Sequence, residues 1–171
     1  MTGTGYSINI IPTGEEYSRF ETLIIKLAEE YGAPLFAPHI TVLGQASDDE
    51  DAALELMEKL AEGEQPFSVT LGKVDYQDDF FRALYVLSQN SDPLLTLYEK
   101  AKKIFGRKDT AEYMPHLSLL YGDFKPEIKE KIIKEIGKEQ MSVFKINSLH
   151  LFRTEGEADE WFEVAEFPFK N

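Results

Sequence analysis

The sequence predicts an α+β chain folded as two similar lobes, and three observations carry that prediction. Short β-rich runs alternate with stretches whose apolar residues recur at helical spacing. The order of these elements repeats: an offset of 77 residues carries His39 onto His116, Thr41 onto Ser118 and Phe67 onto Phe144, so both halves read strand, helix, strand with His-x-Ser/Thr, helix, strand. The chain is 171 residues long with 43% hydrophobic and 12% aromatic residues, enough for one packed core. The expectation is a single domain of two lobes, with an approximate repeat of 1–78 and 79–171, facing one another across a cleft.

Taken in order, Tyr6 to Ile11 alternates and is β-rich, and Pro12-Thr13-Gly14 ends it. From Glu15 to Tyr31 the residues Phe20, Leu23, Ile24, Leu27 and Ala28 form a helical stripe, with Gly32 as the stop. Ile40 to Leu43 is a strand. Ser47 as N-cap with Glu50 in a capping box predicts a helix through Ala61. Phe67 to Val74 and Phe80 to Leu87, separated by a polar turn at Gln77 to Asp79, read as a hairpin. Ser91 or Asp92 then caps a helix with Pro93 in its first turn, running to Gly106. Leu117 to Tyr121 is a strand, Glu127 to Ile136 a helix ended by Gly137, Val143 to Phe152 a strand, and Trp161 to Phe167 a last strand after an acidic turn.

Composition narrows the chemistry. There is no Cys, which removes disulfide scaffolds, thiol nucleophiles and Cys-based metal sites. With 31 acidic against 18 basic residues, a formal net charge of -13 repels polyanions at long range and disfavours long nucleic acid and anionic membrane. A small anionic ligand held by a few aimed groups stays open. No apolar run approaches the ~20 residues of a membrane span, and the first residues lack the pattern of a signal peptide. A cytoplasmic monomer is expected. Ten of the 18 basic residues fall between Lys100 and Lys138; interleaved glutamates make solvated helix faces sufficient to explain them, and a mild positive rim is the alternative.

The strongest local signal is Pro38-His39-Ile40-Thr41-Val42-Leu43-Gly44, answered by Pro115-His116-Leu117-Ser118-Leu119-Leu120-Tyr121-Gly122. Alternate side chains of a strand share a face, so His39 with Thr41 and His116 with Ser118 each present an imidazole beside a hydroxyl, while Ile40, Val42, Leu117 and Leu119 pack inward. Chance would place Pro-His-x-Ser/Thr at two of the three histidines with a probability on the order of 10⁻⁴. Two such strands facing one another supply what displacement at phosphorus needs: a neutral imidazole to deprotonate the attacker, an imidazolium to protonate the leaving oxygen, and hydroxyls for the non-bridging oxygens. No metal or other cofactor is required, and hydroxyls beside imidazoles make poor zinc or copper ligands.

Phe36 to Val42 and Tyr113 to Tyr121 are the residues through which the chain resembles the two-histidine phosphoesterase superfamily, and within it the cyclic phosphodiesterases of plant and yeast type. The resemblance reaches more weakly to Phe80-Phe81 and Trp161. It implies a bilobal, pseudo-two-fold α+β fold, with two antiparallel sheets facing a central cleft and helices outside. It also implies metal-independent hydrolysis of a ribose cyclic phosphate: ADP-ribose 1'',2''-cyclic phosphate, a by-product of tRNA splicing, or nucleoside 2',3'-cyclic phosphates opened to the 2'-phosphate. Carried over by position, His116 is the base, His39 the acid, and Thr41, Ser118 and Tyr121 hold the phosphate, although a pseudo-symmetric site allows the reverse order. Strict alternation turns Tyr121 away from His116, so its phosphate role needs the strand to end near Gly122; a core tyrosine is the alternative. Phe81 either stacks on the base or packs in the core. His150, with no hydroxyl two residues on, reads as a surface or structural histidine. An RNA-end cyclic phosphodiesterase and a non-catalytic nucleotide-binding module are the competing functions.

Overall fold

The computed structural model describes residues 5–89, 92–108 and 112–170. Its elements are β1 (Tyr6–Ile10), α1 (Glu15–Tyr31), β2 (Ile40–Ser47), α2 (Glu50–Ala61), β3 (Phe67–Asp75), β4 (Leu84–Ser88), α3 (Asp92–Ile104), β5 (His116–Leu120), α4 (Pro126–Ile136), β6 (Glu139–Ile146), β7 (Ser148–Arg153) and β8 (Phe162–Pro168). The order β1-α1-β2-α2-β3 recurs as β4-α3-β5-α4-β6.

The strands lie in the order β6-β3-β4-β5-β2-β1-β7-β8, and neighbours are antiparallel. The two expected sheets are thus the halves β6-β3-β4-β5 and β2-β1-β7-β8. They touch at the seam, where β2 and β5 share the register pair Ile40↔Leu117. Each half places its His-hydroxyl strand at that seam. The halves are not consecutive stretches of chain, because β3 pairs beside β4 while β7 and β8 pair beside β1. Ile8, Ile10, Val69, Leu71, Leu117, Ile146 and Leu149 belong to one buried cluster that runs under both halves.

Helix α1 follows its stripe: Phe20, Ile24, Leu27 and Ala28 are buried, and Gly32 closes it in the left-handed region at φ 64°. Elsewhere tertiary pairing overrides local signals. The N-cap of α2 is Asp49, whose carboxylate accepts from Ala52 N at 2.8 Å. Ser47 instead ends β2, paired with Tyr6, and Glu50 receives the Tyr6 hydroxyl at 2.7 Å in place of a capping-box bond. The stretch from Phe80 does not enter the sheet at once: Phe80–Arg82 is a 3-10 turn capped by Asp79, and β4 begins at Leu84. The expected strand Val143 to Phe152 is two strands broken at Asn147, β6 on β3 and β7 on β1, in opposite halves of the sheet. The burial pattern changes at the break, from alternating in β6 to continuous in β7. Trp161 follows a 3-10 turn at Ala158–Glu160 and β8 starts one residue later. The proposed cap Ser91 lies outside the described residues.

Candidate active site

His39 stands immediately before β2 and His116 opens β5, each following a proline and preceding a fully buried aliphatic residue, Ile40 or Leu117. Both rings are anchored by the same device. Nδ1 of His39 lies 2.7 Å from the carbonyl oxygen of Ala37, and Nδ1 of His116 lies 2.7 Å from that of Met114. A carbonyl only accepts, so Nδ1 carries the proton in both neutral rings and Nε2 is left with its lone pair. Aromatic neighbours fix the ring planes: Phe152 lies 6.1 Å from His39 at 23°, and Tyr85 lies 5.0 Å from His116 at 58°. His39 is buried and His116 half-buried. Burial pulls both imidazoles below the ordinary histidine range against the opposing pull of their carbonyl partners. His116 adds to the lowering at His39, and Arg82 adds to it at His116 while Asp79 opposes it.

A cavity of about 360 Å³ brings together all six residues singled out by sequence: His39, Thr41, Phe81, His116, Ser118 and Tyr121. Ser118 Oγ donates to the Phe81 carbonyl at 3.1 Å, and Tyr113 donates its hydroxyl to the Thr41 carbonyl at 2.9 Å. Tyr121 reaches the cavity because β5 ends one residue before it, where Gly122 N–H bonds the Phe80 carbonyl at 2.9 Å. Its ring is also core, stacked on Phe36 at 3.8 Å and 19°, so the residue packs in the core and lines the cavity at once. Burial raises its phenol, which remains a neutral donor. Phe81 is half-buried and stacked on Trp161 at 5.6 Å and 30°.

Several groups to which the sequence assigns no role shape this cavity. Arg82 and Trp161 line it. Tyr113 is pinned by stacking on Tyr98 at 4.3 Å and 12°, a contact between a helix and a loop that no local pattern announces. Lys129, expected on a solvated helix face, is 1% exposed; its ammonium donates to the Gln77 carbonyl at 2.7 Å and lies 5.4 Å from the Tyr76 ring centre. His150 does not line the cavity. It is a structural histidine, buried, with Nε2 3.1 Å from Ser148 Oγ and Nδ1 3.2 Å from the Glu163 carboxylate. Among the described residues no group of three His, Asp or Glu side chains gathers to hold a metal ion, and no helix is long and apolar enough to cross a membrane.

Fold and cavity define a class: an α+β protein with one His-hydroxyl strand on each side of a cleft, the arrangement of two-histidine phosphoesterases. A family profile described as 2'-5' RNA ligase superfamily matches residues 17–158. The chain is 30% identical over 167 residues to a "Cyclic phosphodiesterase" of Arabidopsis thaliana, covering 94% of this chain and 92% of that one. It is 28% identical over 172 residues to a "2',3'-cyclic-nucleotide 3'-phosphodiesterase" of Phaeosphaeria nodorum, with coverage of 85% and 88%. Among solved structures, E. coli LigT in apo form superposes with a TM-score of 0.68 at 11% identity over 100% of both chains, and LigT complexed with 3'-AMP with 0.64 at 11% over 98% of both. The chain therefore belongs to the 2'-5' RNA ligase superfamily and, within it, to the family of the cyclic phosphodiesterases.

Proposed function

We propose that this cyclic phosphodiesterase opens ADP-ribose 1'',2''-cyclic phosphate and nucleoside 2',3'-cyclic phosphates, without a metal, by acid-base catalysis between His116 and His39. The observation that carries the proposal is the paired anchoring of the imidazoles: each Nδ1 is held 2.7 Å from a backbone carbonyl two residues upstream, and both rings line one cavity. On a nucleoside 2',3'-cyclic phosphate, His116 Nε2 takes a proton from water as its oxygen bonds to phosphorus. The bond from phosphorus to O3' breaks, protonated His39 gives its Nε2 proton to O3', and the product is the 2'-phosphate. The half-buried His116 is the imidazole a water molecule reaches more readily, and the buried His39 suits the leaving oxygen.

Thr41, Ser118 and the neutral Tyr121 phenol donate to the non-bridging oxygens, and Phe81 with Trp161 offers an aromatic wall to the base. Ser118 has one hydroxyl proton, so donating it to the phosphate releases the bond to the Phe81 carbonyl and costs one hydrogen bond. The proposal is tested by incubating the protein in EDTA with ADP-ribose 1'',2''-cyclic phosphate, 2',3'-cyclic AMP and a cyclic-ended RNA, and following products by phosphorus NMR. Turnover of the first two is expected; loss of turnover in EDTA overturns the metal-free mechanism, and preference for the RNA end reassigns the substrate. In His39→Ala and His116→Ala, turnover falls at least about 100-fold while nucleotide binding persists. A parent protein that binds but never turns over is a binding module.

A further inference from the structure

The two halves of the site stand on strands that share one register pair among the described residues, Ile40↔Leu117. A single pair leaves the angle between β2 and β5 to whatever else crosses the seam, and with it the spacing of His39 and Thr41 from His116 and Ser118. Two aromatic side chains cross it. They are Phe36 and Tyr113, each three residues before a motif histidine, and they correspond at the same offset of 77 that relates the motifs. Phe36 stacks on Tyr121, beyond the Ser118 of the second motif, at 3.8 Å and 19°. Tyr113 reaches the other way, and its hydroxyl donates to the Thr41 carbonyl at 2.9 Å. The two braces therefore cross, each tying the chain that leads into one histidine to the segment that carries the other.

Of the two, Tyr113 is the more exacting, because a hydrogen bond to a strand carbonyl is directional where a ring stack is not. Its ring is held from behind by Tyr98 of α3 at 4.3 Å and 12°. The next residue, Met114, provides the carbonyl oxygen 2.7 Å from His116 Nδ1, so two consecutive residues anchor the His116 ring and the Thr41 backbone. Desolvation, and then the Tyr98 phenol, raises the Tyr113 phenol above the ordinary tyrosine range, which keeps its proton available for donation. Arg107 extends the grip along β2 by bonding the carbonyls of Gly44 and Gln45.

Resting on the reading that Thr41 donates to a non-bridging oxygen, we propose that Tyr113 is a positioning residue for the reaction: its hydroxyl, braced by Tyr98, holds the Thr41 backbone so that the Thr41 hydroxyl meets the phosphate between the two imidazoles. Tyr113 binds no reacting atom and acts through Thr41.

Tyr113→Phe keeps the ring and its stack and removes the donor. On 2',3'-cyclic AMP its kcat is expected to fall about 10-fold or more while KM changes less than about 3-fold, because a displaced donor is felt most where charge builds on the non-bridging oxygens. In a Thr41→Ala background the same substitution is expected to cost less than about 3-fold, since the group it positions is already gone. Losses that multiply in the double variant overturn the inference, as does a folded Tyr113→Phe protein with the kcat of the parent or with its loss wholly in KM. If Tyr113→Phe fails to fold, Tyr98→Leu, which leaves the hydroxyl and removes the support of its ring, takes its place, and there too the kcat of the parent overturns the inference. Each of these outcomes leaves the proposed function standing, whereas a parent protein that hydrolyses no cyclic phosphate brings down both.

Discussion

At the scale of single residues, the proposed mechanism makes the two histidines set the pH behaviour. Burial lowers both in the free enzyme, so both limbs of the kcat/KM profile fall below the ordinary imidazole value of roughly 6.5. A bound phosphate anion favours the imidazolium, so the alkaline limb of kcat lies at higher pH than that of kcat/KM. Rate profiles between about pH 5 and 8 check this, and a flat profile removes the histidines from the chemistry. Stability follows the same sign. A folded chain that keeps its histidines neutral binds fewer protons than the unfolded one, so their contribution is whole above roughly pH 6.5 and is lost as pH falls through the lowered folded values. Replacing His39 by Phe therefore flattens the acid side of a plot of urea midpoint against pH.

At the scale of elements, the turn from Gln77 to Arg82 links core to site. Lys129 on α4 is buried and its ammonium holds the Gln77 carbonyl, while the same turn supplies acceptors for Ser118 and Gly122. Lys129→Met preserves the aliphatic stem and leaves that carbonyl unpaired, so unfolding free energy from urea titration should fall by about 1–3 kcal/mol. KM should rise because the cavity wall loses its support; a variant that loses stability with KM unchanged would show that the turn keeps its place without Lys129. This element was the least legible in the sequence. Phe80 to Leu87 is β-rich throughout, and bonds to the turn, among them the cap by Asp79 and the bond from Gly122 to the Phe80 carbonyl, hold its first residues away from the sheet. The helices were legible because each carries a buried stripe along one face, as in Leu94, Leu97, Tyr98 and Ala101 of α3. The break at Asn147 was not, since alternation reports which face is buried and is silent on which strand is the neighbour.

At the scale of the whole molecule, one core serves both halves of the sheet, and they meet at the pair Ile40↔Leu117 between the two motif strands. Secondary structure and the environment of the cavity should therefore be lost together. The single tryptophan, Trp161 on the cavity wall, makes this measurable: urea curves by far-UV circular dichroism and by tryptophan fluorescence should coincide, and separated midpoints would mean that the lobes unfold independently. The sequence alone determined the chemistry available. With no cysteine and three histidines, nearly all the candidate acid-base chemistry rested on imidazole, and the two Pro-His-x-Ser/Thr strands marked residues that share the cavity, because strand alternation is a local property that spacing records. Only the tertiary structure decided what surrounds them: that β3 changes halves with β7 and β8, that Lys129 is buried, and that Arg82 stands in the cavity wall. Those facts depend on pairing and packing between segments far apart in the chain, where the free energy of burial and of paired hydrogen bonds outweighs the local preferences a sequence displays.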